Sequence, residues 1–212
     1  MNYTTYLFDF DYTLADSSKG IVTSFQTVLK RHGYNHVDDY DIKRTIGLTL
    51  EEAFGLLTGV ADPARLAAFK KEYTQAADVH MTANTVFFLE TKSVITALKE
   101  AEACTGIIST KYRYRIREML ELHGLTDMFD IIVGGEDVST AKPSPEGLLH
   151  AMKVLGVQKK ETLYIGDSIV DAQTAKSAGV DFAGVTHGTT TAEELSAWPH
   201  VKIMTSLEGL LE

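Results

Sequence analysis

Two carboxylates two positions apart, Asp9 and Asp11, follow the apolar run Tyr6-Leu7-Phe8 near the start of the chain. Alternate side chains of an extended segment share a face, so beyond the end of a buried strand both acids can aim at one point in a cleft. Like charges held together repel unless a cation or a shared proton compensates them, and Mg2+, a hard ion that prefers oxygen ligands, is the economical partner. Three later segments carry matching groups. Ser109-Thr110-Lys111 follows Gly106-Ile107-Ile108, Lys142 precedes Pro143, and Gly166-Asp167-Ser168 follows Leu163-Tyr164-Ile165, with Asp171 one helical turn further on. Taken singly, each has a plain reading: solvated acids in a turn, a turn serine, a surface lysine, an aspartate capping a helix. Together they stand at the ends of predicted strands, where open parallel sheets bind ligands.

The elements that must position these groups are legible in the apolar spacing. A strand is predicted over about Tyr3 to Phe10, and helices follow to about Thr85. Ile21, Val22, Phe25, Val28 and Leu29 share one helix face that Gly33 can close, Thr49 with Glu52 forms a capping box, and Asp62-Pro63 starts another helix. From there strands and helices alternate, with strands at 105–109, 130–134, 162–165, 182–185 and 201–204 and helices between them, the last opened by Thr191 with Glu194. Alternation of this kind implies an α/β fold, a doubly wound parallel sheet with right-handed crossovers. The block without strand signal reads as a small all-helical cap inserted after the first strand. Residues 1–15 and 83–212 then form the core domain, and 16–82 the cap.

Composition narrows the function classes. The 212 residues suffice for one well-cored domain plus an insertion, and 44% hydrophobic with 23% charged residues is ordinary for a soluble globular protein. No apolar run approaches the roughly 18 residues of a membrane span, and no secretory signal is visible, so the expected compartment is the cytoplasm. A formal charge of -9 argues against a nucleic-acid partner but not against a small phosphorylated substrate. Cys104 stands alone, which excludes an internal disulfide and a cysteine metal site and leaves core filling. His32, His36, His80, His123, His150 and His200 show no ligand spacing, and His187-Gly188 reads as a strand-end turn.

The ordered set Asp9-Phe10-Asp11-Tyr12-Thr13, Ile107-Ile108-Ser109, Lys142-Pro143 and Gly166-Asp167-Ser168-Ile169-Val170-Asp171 resembles the haloacid dehalogenase-like hydrolases, in the branch of the phosphoglycolate phosphatases. The resemblance covers nearly the whole chain and implies a Rossmann-like core. It implies that Asp9 is the nucleophile, forming an aspartyl-phosphate, and that Asp11 is the acid for the leaving alcohol and then the base for water. It further implies that Asp9, Asp11 through its carbonyl oxygen, and Asp167 hold Mg2+, with Asp171 holding a water or a neighbour. Ser109 and the following amide, at Thr110, would hold the phosphoryl oxygens, Lys142 would neutralise them, and Thr13 would orient Asp11 through its hydroxyl. In the cap, Arg44 and Gly47 are the candidate substrate contacts. Tyr12 stands where the family commonly has glycine, so either the turn needs no left-handed residue or Tyr12 lines the cleft. The segment 87–91 lacks the Pro-Gly that often follows the cap, a hinge change without catalytic meaning.

The activity this implies is phosphomonoester hydrolysis of a small phosphorylated metabolite by a monomer or weak homodimer, with a cap that opens and closes over the cleft. A pyrophosphatase, a sugar-phosphate phosphatase or a phosphomutase of the same superfamily are the alternatives. The mutase is disfavoured because Ser17-Ser18-Lys19-Gly20-Ile21 lacks the histidine that similar mutases carry there, and a dehalogenase because Asp11 and magnesium would be superfluous. A receiver domain would need about 120 residues and a mid-chain acceptor. A catalytically silent binding protein is disfavoured because every catalytic position holds a competent residue.

Overall fold

The first strand is a run of four wholly buried residues, β1 (Thr5–Phe8), with a strand hydrogen-bonded on either side of it. A strand covered on both faces and both edges must be apolar along its length rather than alternating, which Tyr-Leu-Phe supplies. The computed structural model describes residues 3–212. In chain order, β2 (Ala15–Asp16) precedes four helices, α1 (Ser18–Arg31), α2 (Asp39–Arg44), α3 (Leu50–Thr58) and α4 (Pro63–His80), and β3 (Val86–Phe87) ends that passage. Then come α5 (Thr91–Glu100), β4 (Cys104–Ile108), α6 (Arg113–Leu122), β5 (Ile131–Val133), α7 (Glu146–Leu155), β6 (Thr162–Gly166), α8 (Ile169–Ala178), β7 (Asp181–Val185), α9 (Ala192–Ser196) and β8 (Lys202–Met204). The α/β class expected from the alternation is the class observed.

Six strands form one sheet in the order β5-β4-β1-β6-β7-β8, each pair parallel. Phe8 is level with Ile107 on β4 and with Ile165 on β6, so the residues that follow all three strands emerge at one edge. One face of the sheet packs Tyr6, Phe8, Ile107, Leu163 and Ile165 against Val94, Ile95 and Ile116. The other packs Leu7, Ile108 and Tyr164 against Leu148, Ala151 and Ala172. Burial of such side chains stabilises by about 1.5–3 kcal/mol each, and the two-faced core is what holds the strand ends in register.

The chain divides into two units, 1–15 with 87–212 and 16–86. The helical unit runs four residues past the sequence-based boundary, because a single 3-10 turn at Thr82–Asn84 continues from α4, and the Thr85 hydroxyl donates to the Met81 carbonyl. Its caps follow the sequence: Thr49 and Glu52 form the capping box of α3, and Asp62 accepts from Arg65 N ahead of Pro63 in α4. Its core is aromatic. Phe54 is fully buried, with ring centroids 4.6 Å from Phe25 and 5.3 Å from Phe69. Phe54→Ala is expected to cost about 3–5 kcal/mol, read as a lowered melting midpoint; a loss of under about 1 kcal/mol would mean that the helical unit does not depend on this cluster.

Several boundaries differ from the sequence reading. β1 is shorter, because Asp9 and Phe10 already belong to the turn that carries the acids. Cys104 is half-buried at the start of β4 rather than core filling.

Candidate active site

Asp9 is the first residue after β1, and its amide donates to the Ile165 carbonyl at 2.8 Å, which extends the sheet one step and fixes where the side chain leaves it. The chain then wraps around one acceptor: Leu14 N and Ala15 N both donate to the Phe10 carbonyl, at 2.9 and 3.1 Å. That wrap requires a left-handed residue at position 12. Tyr12 supplies it with φ 59°, so the turn does need the conformation usually left to glycine, here adopted by a side chain that must tolerate its steric cost. The Tyr12 ring lies against Gly188, where an added Cβ would stand 2.9 Å from Tyr12 Cδ2 and 2.2 Å from Asp167 Oδ2.

Asp167 follows β6, whose last residue, Gly166, has a reason of its own. A Cβ there would fall 2.4 Å from Cβ and Cγ of Asp171, so only glycine lets Asp171 fold back under the strand end. The cap of α8 is Ser168, not Asp167. Its hydroxyl and the Asp171 carboxylate close a capping box, which leaves the Asp167 carboxylate free to face Asp9. One oxygen from each of Asp9, Asp167 and Asp171 lies within 4.8 Å of the others, and all three residues are buried.

Two buried lysines contact acids of the site, Lys142 meeting Asp9 and Asp171 and Lys111 meeting Asp11. Lys142, in a cis peptide bond with Pro143, places Nζ 2.6 Å from Asp171 Oδ1, 2.9 Å from Asp9 Oδ1 and 3.2 Å from the Tyr164 hydroxyl. The Tyr164 hydroxyl in turn is 3.0 Å from Asp171 Oδ1 and 3.1 Å from the Ile108 carbonyl oxygen. Lys111 places Nζ 2.8 Å from Asp11 Oδ1. Ser109 is buried after β4; its amide donates to the Val133 carbonyl, and its hydroxyl accepts from the Lys111 amide. Gly135 N holds the Lys111 carbonyl from the neighbouring loop.

Electrostatics point to a missing positive charge. Burial, reinforced by Asp171 and Asp11 and opposed by Lys142, pushes the Asp9 carboxyl up to about 6. Burial and then Asp171 and Asp9 drive Asp167 well above the carboxylate range. Burial also works against the Lys142 charge, but Asp171 and Asp9 outweigh it and hold that ammonium well above its ordinary value. Among the described residues the buried Asp9 Oδ1 has no hydrogen-bond partner beyond the Lys142 ammonium at 2.9 Å. Four carboxylates thus meet two ammonium groups, and the oxygens left over are hard donors converging on one point. A divalent oxygen-seeking cation fits that donor set.

Asp9, Asp11, Ser109, Lys142, Asp167 and Asp171 are therefore brought together. Thr13 is not placed as expected: its buried Oγ1 has no hydrogen-bond partner among the described residues, and Lys111 holds Asp11 instead. Thr110 follows Ser109 on the same loop. Asp171 differs as well, because both its oxygens are taken by Lys142, Tyr164 and Ser168, which makes it the anchor of the lysine more than a holder of water. Arg44 ends α2 and Gly47 sits at φ 100° before α3, both within the helical unit. His187 is more than a turn: its Nε2 lies 3.1 Å from Glu90 Oε1 and its ring 4.0 Å from that of Phe88. Burial lowers its basicity against the pull of Glu90. The segment 87–91 thus makes specific contacts in place of Pro-Gly. Lys111 and Tyr164 are the participants to which the sequence assigned no role; Lys111 stood in the segment opened by Ser109, and Tyr164 in a buried strand.

The family pattern described as haloacid dehalogenase-like hydrolase matches residues 6–185. The chain belongs to this family. A haloacid dehalogenase-like hydrolase structure from Bacteroides fragilis is 56% identical, with a TM-score of 0.97 over 98% of this chain and 99% of that one. Pyrophosphatase PpaX of Listeria monocytogenes serotype 4a is 32% identical over 212 residues, 98% of this chain and 94% of the relative. A structure designated phosphoglycolate phosphatase from Lactobacillus plantarum, 23% identical with a TM-score of 0.89 over 100% of this chain and 99% of that one, shares the fold. No helix among the described residues is long and apolar enough to cross a membrane.

Proposed function

We propose that this hydrolase is a magnesium-dependent phosphatase that cleaves a small phosphorylated metabolite through an aspartyl-phosphate on Asp9. The observation that carries the reading is the convergence of Asp9, Asp167 and Asp171 within 4.8 Å, with the Lys142 ammonium 2.9 Å from Asp9. An acid that is buried and paired to a fixed cation is a nucleophile already stripped of water. Asp9 attacks phosphorus while the bond to the leaving oxygen breaks, and Asp11, two residues on, gives that oxygen a proton. Asp11 then takes a proton from the water that releases phosphate and regenerates Asp9. Ser109 and the Thr110 amide hold the equatorial oxygens, and Lys142 stabilises their charge. Asp9, the Asp11 carbonyl and Asp167 would hold Mg2+, which supplies charge neutralisation at the transferring group; Asp171 acts on it through Lys142.

A second reading, pyrophosphate hydrolysis, is supported by the PpaX relatives. Both readings are tested by phosphate release from a panel of phosphorylated metabolites and pyrophosphate, with and without magnesium. Turnover confined to the magnesium arm is expected, and a panel without any turnover in that arm defeats the proposal. Gly188→Ala gives an independent check. The new methyl would overlap Asp167 Oδ2, so Mg2+ affinity is expected to fall at least roughly ten-fold with the circular dichroism spectrum retained. Unchanged affinity by calorimetry would remove Asp167 from the metal's ligands.

A further inference from the structure

Lys111 is a buried ammonium that the reaction described above does not use. It is 9% exposed, and its Nζ contacts Asp11 Oδ1 at 2.8 Å. The two lysines of the site are tethered differently. Lys142 is held by oxygens of Asp9, Asp171 and Tyr164, whereas among the described residues the ammonium of Lys111 meets the Asp11 carboxylate and the Phe10 ring, whose centroid is 5.6 Å away. The backbone of Lys111 is nevertheless fixed, its amide donating to Ser109 Oγ at 3.3 Å and its carbonyl accepting from Gly135 N at 3.0 Å. A fixed root with a long flexible stem lets the charged head change partners without moving the loop.

We propose that Lys111 determines specificity by recognising a second anionic group on the leaving side of the substrate, so that phosphoryl compounds with a charged leaving group are preferred. The inference rests on the phosphatase reading, since it is there that Asp11 must touch the leaving oxygen. An ammonium one hydrogen bond from Asp11 then lies roughly 5–6 Å from that oxygen, the distance of a carboxylate or phosphate one or two bonds beyond it. In the transfer step the phosphorus–oxygen bond to the leaving group breaks as the bond to Asp9 forms, and Asp11 supplies the proton. Lys111 exchanges neither proton nor electron pair; it binds.

The test compares phosphoglycolate with ethyl phosphate, near-isosteres that differ by one carboxylate, and adds pyrophosphate as the phosphate-bearing arm. In the wild-type enzyme with magnesium, kcat/KM for at least one charged compound is expected to exceed that for ethyl phosphate roughly ten-fold or more. Which arm shows it tells carboxylate from phosphate. Lys111→Met should collapse that ratio towards one, chiefly through KM, while Lys111→Arg keeps most of it. If Lys111→Met fails to fold, Lys111→Gln carries the same comparison, and the wild-type ratio stands as a measurement of its own. A wild-type ratio near one, or a ratio that survives loss of the charge, overturns the proposal and leaves the phosphatase reading intact. A wild-type enzyme that turns over none of the three overturns this proposal, whereas the phosphatase reading falls only if the wider metabolite panel with magnesium also shows no turnover.

Discussion

Asp9→Asn is expected to reduce phosphate release by at least roughly four orders of magnitude and, at the same time, to stabilise the metal-free protein. The first effect follows from the nucleophile, because an amide oxygen of a neutral side chain cannot form the covalent intermediate. The second follows from burial. The Asp9 carboxyl is raised from 3.8 to about 6, so the fold favours its protonated form. The sign is that of a raised group: its contribution is fully favourable below the unfolded value near 4 and is lost as pH rises through about 6. At pH 7 the cost is of order 3 kcal/mol, and an asparagine, neutral at every pH, avoids it. Thermal melts in chelator should show the variant above wild type at pH 7, with the gap closing towards pH 4. Added magnesium should raise wild type more than the variant. A variant that melts below wild type at pH 7 in chelator would mean that the charged form of Asp9 is favoured by the fold, and the account of the site as short of positive charge would go with it.

Lys142→Met should have the opposite effect on stability. It removes the ammonium that touches both Asp9 and Asp171 and leaves two buried carboxylates without their compensating charge. Breaking a buried pair in this way costs about 3–5 kcal/mol, where replacing both partners together costs far less. Activity should fall by roughly three orders of magnitude or more, since the same ammonium is the fixed positive charge at the transferring group. The double variant Asp9→Asn, Lys142→Met should be more stable than the sum of the single changes, because the second change then removes a charge that has already lost one partner. Additive melting shifts would show that the contact at 2.9 Å is not an energetic coupling.

These opposite signs arise from one circumstance: acids and lysines share a buried site in which the acids are in excess. The acids themselves were legible in the chain, but the partner each one finds was not. The sequence contains Lys111 two positions after Ser109, but nothing in its spacing says that it would meet Asp11, a hundred residues away, and Thr13 was the nearer candidate. Tyr164 reads as one more apolar residue of a buried strand; only its facing β4 and α8 at once makes its hydroxyl a brace for Lys142. Asp171 offers the same lesson in reverse. One helical turn after Asp167 it reads as a metal-side acid, and the capping box with Ser168 turns it into the anchor of the lysine.

What the chain determined by itself is the local and the periodic. Apolar runs of strand length, caps such as Thr49 with Glu52 and Asp62 ahead of Pro63, and glycine stops after helices are decided by a few neighbouring residues, so the element order and the parallel sheet were readable, and with them the rim on which Asp9, Ser109 and Asp167 stand. What the tertiary structure alone decided is partnership and charge: which ammonium meets which carboxylate, that Tyr12 bears a left-handed turn, and how far burial lifts Asp9 and Asp167. Those depend on distances between segments far apart in sequence and on the removal of water from between them, and neither quantity is written in local spacing.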